Sequence, residues 1–157
     1  MKVRAYSFAG DVSAAAVMLS LIAGMAGSVQ VAVMSRFGAR IGILEALAFS
    51  ALGTAVITAA VLLAVRHSVG AYGDAVRQPP WLWLGAVMGA IVVFTITFAG
   101  PRIGTAATIG LLIAGQLAMG ALIDRFGLFG VDRIPLHWPR IAGIALLAAG
   151  AVLSLRK

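Results

Sequence analysis

Four stretches of this chain run for more than twenty residues with at most one charge, and no other feature restricts its fold as strongly. Residues 12–35, 78–101 and 103–123 are uncharged, and residues 41–65 carry only Glu45. A hydrocarbon core of about 30 Å needs roughly 20 apolar residues per helix, so each window can cross a bilayer. A fifth window, Ile141 to Ser154, is shorter. It spans if Arg140, Arg156 and Lys157 reach outward to the headgroups, as long basic side chains do. The expectation is an all-α, polytopic membrane protein whose single transmembrane domain takes up residues 1–157. Its five transmembrane helices are expected near 12–35, 41–65, 80–100, 103–124 and 140–155.

Composition narrows the function. With 62% hydrophobic and 11% charged residues, the chain departs from soluble globules, where charged residues approach a quarter. A net charge of +7 would suggest nucleic acid in a soluble protein, but here the basic residues sit singly or in pairs at helix ends, so no nucleic-acid partner is expected. The absence of Cys excludes disulfides, thiolate metal sites and thiol nucleophiles. His67 and His137 fall in loops, too few for a metal site or a triad, so neither an enzyme nor a metal or cofactor is expected. The start "MKVRAYSFAGDVSAAAVMLS" is basic before an apolar run, as a secretory signal is, but Asp11 interrupts it early and the uncharged segment is too long. It reads as the first helix.

Small residues recur at every fourth place in that helix: Ala16, Ser20, Gly24, Ser28 and Ala32. Gly85 and Gly89 share this spacing in the third helix, and Gly143 and Gly150 thin the fifth. Such ridges let helices approach closely in lipid, where no hydrophobic drive holds them together. In "RQPPWLWLG", Pro79 and Pro80 precede a helix start with Trp81 and Trp83 at the interface. "AGPRIG" places Gly100, Pro101 and Gly104 in a tight antiparallel turn, and the longest loop, from Asp124 to Arg140, holds Trp138 and Pro139.

Counting basic residues by side gives a weak bias. Lys2, Arg4, Arg66, Arg77, Arg125, Arg133 and Arg140 share one side; Arg36, Arg40, Arg102, Arg156 and Lys157 share the other. Seven against five suggests dual topology, with copies inserted both ways and paired as an antiparallel homodimer. A paired homologue of opposite orientation builds the same object, and a single orientation stays open.

The segment "GLLIAGQLAMGALIDRFG" carries Gln116 in its middle and Asp124-Arg125 at its end. An unpaired amide in hydrocarbon costs about 4–8 kcal/mol on alkane scales, so Gln116 is expected to face protein or a wet cavity. At 100° per residue, Thr105 lies within about 20° of Gln116, and Thr108 and Asp124 about 80° to either side. With Gln30 and Glu45 these form the candidate pathway. The amides serve equally as interhelical hydrogen-bond donors, the threonines as donors to their own backbone carbonyls, and Asp124 as a loop anchor. Glu45, the acidic residue inside a span, is the candidate for proton coupling by default; burial would disfavour its charge. Its shallow depth equally allows an interfacial carboxylate paired with Arg36 or Arg40.

In order and spacing, "PPWLWLGAVMGA", "GPRIG", "AGQL" with "LIDRFG", and "PRIAGIALLAAG" resemble the YdcZ-like family of inner-membrane exporters in the drug/metabolite transporter superfamily, as do "AGSVQ" and "FSALGT" in the first half. Met34 stands where that family often has Asn, and Gly120 where it often has a small polar residue. The resemblance implies a multi-pass protein of a bacterial inner membrane that exports a small metabolite or drug-like solute. It also implies five-helix units combined as inverted repeats, which an odd span number makes natural. A ten-helix pair in the lipid bilayer, rocking around a midplane cavity, is the expected machine. A small dimeric ion channel and a non-transporting membrane subunit are the alternatives.

Overall fold

A computed structural model of the chain describes residues 9–67 and 70–155, and every regular element among them is helical. In order these are α1 (Ala9–Ile41), α2 (Ile43–Arg66), a short α3 (Gly70–Val76), α4 (Leu84–Ile103), α5 (Thr105–Phe126) and α6 (Trp138–Leu153). Single 3₁₀ turns at Pro80–Trp83 and Leu128–Gly130 lead into α4 and out of α5. Lys2, Arg4, Arg156 and Lys157 of the charge count lie outside the described residues. Among the described residues, four helices are long and apolar enough to cross a membrane: α1, α2, α4 with its leading turn, and α5. The apolar α6 has 16 residues, about 24 Å at 1.5 Å per residue.

Helix ends differ from expectation where charge, not backbone chemistry, set the expected boundary. α1 continues past Ser35 through Arg36 and Arg40 to Ile41, because nothing there breaks a helix and a long basic side chain can reach water from within one. The connection to α2 is Gly42 alone, at φ 104° and ψ 151°. α4 likewise runs through Pro101 to Ile103, and Gly104 alone, at φ 88° and ψ 157°, turns the chain into α5. Side chains rarely adopt such torsions; glycine does so freely. The tight turn expected at "AGPRIG" is thus one residue wide. α3 was not expected, and it lies in the second connection.

α1 and α4 form the central contact. α2 packs on both from one side, α5 packs on both from the other, and α6 packs on α5 alone. Val31, Met34, Ala46 and Ile96 make the buried apolar cluster. Large apolar side chains such as Leu52, Val65 and Leu146 point outward. That inversion fits an apolar solvent: helix contacts are made by small residues at close range, not by withdrawing leucines from water. A Cβ on Gly38 would overlap Thr97 Cγ2, and one on Gly100 would overlap Ser35 Oγ and stand 2.9 Å from Ser35 Cβ. On the far side, Gly110 admits Ala151, to which an added Cβ would come within 3.1 Å.

Candidate functional site

Away from that tight contact, two clefts flank the α1–α4 pair. One, about 540 Å³, lies between α1, α2 and α4 and is lined by Gln30, Ser50, Thr54 and Thr58 among apolar neighbours. The other, about 330 Å³, lies between α1, α4 and α5 and is lined by Gln30, Ser28 and Gln116. Gln30 thus borders both. The fold brings Gln30 and Gln116 to one cavity although 86 positions separate them.

Hydrogen bonding separates two kinds of polar side chain. Most hydroxyls donate to carbonyls of their own helix. Ser28 Oγ donates to Gly24 O at 3.1 Å, Ser35 Oγ to Val31 O at 2.6 Å, Thr58 Oγ1 to Thr54 O at 2.8 Å and Thr97 Oγ1 to Val93 O at 2.7 Å. Such groups are satisfied and inert. The side chains of Gln30, Gln116, Ser50 and Thr54 have no such partner among the described residues, and all four line the clefts. A primary amide has two donors and two acceptor sites to fill, so the clefts present hydrogen-bonding capacity that the chain itself leaves unused.

The expected stripe on α5 is divided among different surroundings. Gln116 reaches its cleft. Thr108 is buried against its neighbours and donates to Gly104 O at 2.8 Å, as its local reading anticipated. Thr105 stands at the elbow, half-buried. Asp124 pairs with Arg140, and its backbone carbonyl accepts from Ile134 N at 2.9 Å, so it ties the fourth loop to the start of α6. A stripe 160° wide exceeds what one cleft can face.

Glu45 occupies the third position of α2 and is exposed in the chain, so the expected burial is absent from the isolated unit. Its carboxylate turns back over Gly42, where an added Cβ would overlap Oε2. It forms no ion pair with Arg36 or Arg40. The position favours an anion, because unpaired N–H groups face the first turn of a helix. Gly24, Gly85 and Gly89, expected to pack helices, meet nothing within 4 Å inside the chain, and Ser28 and Gly24 border the smaller cleft while Gly89 borders the larger. The contacts that glycine does permit are at Gly38, Gly100 and Gly110. Missing from the expected set were Ser50 and Thr54. Their signal was available as hydroxyls at every fourth position of one helix.

Residues 15–153 match the family described as "Putative inner membrane exporter, YdcZ". The chain is similar to the inner membrane protein YdcZ of Escherichia coli strain K12, with 32% identity over 97 residues. That stretch is 61% of this chain and 64% of the relative, so the chain spans just under two thirds of the relative's length. No solved structure matches.

Proposed function

The chain belongs to the YdcZ family, and from that premise we propose that it is a multi-pass inner-membrane transporter exporting a small solute through the two clefts. The observation that carries this reading is the pair of amides, Gln30 and Gln116, left without partners on one cavity at mid-helix depth. Polar groups at such depth are retained where they meet water, solute or another helix. In this reading α6 crosses as the fifth span with its ends thinning the bilayer locally, and the unit ends on the side opposite its start.

A second, oppositely inserted copy completes the transporter as an inverted pair of ten helices. The ridge of Ala16, Ser20, Gly24, Ser28 and Ala32, with Gly85, supports this, since Gly24 and Gly85 have no close neighbour within the chain. The pair rocks about its shared cavity to expose solute to either side. Glu45, at the α1–α2 elbow, is the proton-coupling group, and a second copy supplies the covering that the single chain lacks.

Purified protein in liposomes carrying a pH gradient tests the proposal. Saturable, gradient-driven flux is expected from the native chain, reduced at least tenfold in Gln116→Leu and losing its dependence on the gradient in Glu45→Gln. Rapid unsaturable flux would identify a channel instead, and no flux at all a non-transporting subunit. A reporter fused after Lys157 reads orientation: signal on both faces is expected, and signal on one face removes dual insertion.

A further inference from the structure

The two clefts are built from equivalent positions. Shifting the α1–α2 hairpin by sixty-two positions lays it on the α4–α5 hairpin, matching Gly27 with Gly89, Val31 with Val93 and "GARIG" at 38–42 with "GPRIG" at 100–104. The backbone repeats too. Gly42 and Gly104 hold nearly the same torsions, each donates its N–H to the glycine four residues earlier at 3.0 Å, and each accepts from four residues later at 3.1 Å. The central contact is reciprocal: Gly38 receives Thr97 while Gly100 receives Ser35, and Ser35 and Thr97 are themselves equivalent. Contacts between elements follow the same two-fold rule, α2 on α4 mirrored by α5 on α1. Because α1 and α4 run in the same direction, the axis lies along the helices, giving a parallel repeat within the chain.

Under this shift the clefts exchange walls. Gly27 of the smaller maps to Gly89 of the larger, Ser50 of the larger to Leu112 of the smaller, and Thr54 to Gln116. Among the described residues, no Asp, Glu, Lys, Arg or His lines either one. We infer that the chain is a duplicated helical hairpin whose two clefts are quasi-equivalent subsites for an uncharged, hydrogen-bonding solute, each using Gln30 with its own partner, Thr54 or Gln116. A charged solute would enter either cleft desolvated and without a counter-charge, whereas an alcohol or amide finds amide and hydroxyl groups among apolar walls. The inference rests on the transport reading for the fate of the solute; the charge class of the clefts is read out separately.

Since the chain has no cysteine, single substitutions report directly. Thr54→Cys and Gln116→Cys in membrane vesicles are treated with three methanethiosulfonates of similar size, carrying a neutral hydroxyethyl, a cationic trimethylammonium-ethyl or an anionic sulfonatoethyl group. Each rate is divided by that reagent's rate with mercaptoethanol in water. At both positions the neutral reagent is expected to exceed both charged ones by about tenfold or more, given the penalty on a charge at membrane depth. The near-isosteric Ser50→Cys and Ser28→Cys give the same comparison, one in each cleft, should the first pair fail to assemble. Equal rates for the cationic reagent, reaction in one cleft only, or no reaction in either overturns the inference. Gradient-driven flux alongside a charge-blind cleft removes this inference alone; charge-selective clefts without flux remove the transport reading and leave the subsites.

Discussion

The α1–α4 pair behaves differently at its two ends. Toward the elbows, Gly38 and Gly100 face the side chains of Thr97 and Ser35 with no space to spare; toward the other end, Gly24, Gly85 and Gly89 face open space and the clefts widen. Both ends are rich in small residues. Small size alone therefore does not make a helix contact: a glycine packs where the opposite helix brings a short side chain to the same level, as Thr97, Ser35 and Ala151 do, and leaves room where none arrives. In the proposed rocking transporter the closed end serves as the fulcrum and the open end as the cavity.

The sharpest way to break this contrast is Gly100→Ala. Its Cβ would come within 2.9 Å of Ser35 Cβ, so the helices themselves must separate, and about 1–3 kcal/mol of folding stability is expected to be lost. Unfolding in mixed detergent micelles measures it, and Ser35→Gly in the same chain should return part of the loss. An undiminished single variant would mean that the elbow end is not close-packed. Next in size come the elbows. Gly104→Ala forces a side chain to φ 88°, for about 1–2 kcal/mol of strain, and Gly42→Ala adds an overlap with Glu45. The second variant should therefore be the less stable in the same titration, and adding Glu45→Ala should bring the two level. The smallest effect belongs to the open end: Gly85→Ala meets nothing and gains helix propensity, so stability should change by less than about 1 kcal/mol, upward if at all. A large loss there in a reconstituted bilayer, absent in dilute detergent, would reveal a second copy seated on that face.

How legible these features were depended on the kind of residue. The uncharged windows announced α1, α2, α4 and α5 because helix length in lipid follows from bilayer thickness, while Arg36 and Arg40 misled because charge does not end a helix. "GARIG" and "GPRIG" stand in plain view, yet as a repeat they are diluted by a background of Ala, Val, Leu and Gly that matches itself at any offset. Gln30 and Gln116 could be singled out one at a time; that they share a cavity could not. Glu45 was conspicuous as an acid inside an apolar window, but its place in the first turn of α2 depends on the elbow at Gly42.

The sequence by itself determined that this chain is helical, rich in apolar windows long enough to cross a bilayer, and without a cysteine for thiol chemistry. Only the tertiary structure decided which faces meet, which glycines are contacts and which are openings, and which amides keep company. The physical reason is the solvent. In water an apolar stripe marks the face that packs, but in lipid every face is apolar, so the choice falls to local shape, set by pairs of residues far apart in the chain.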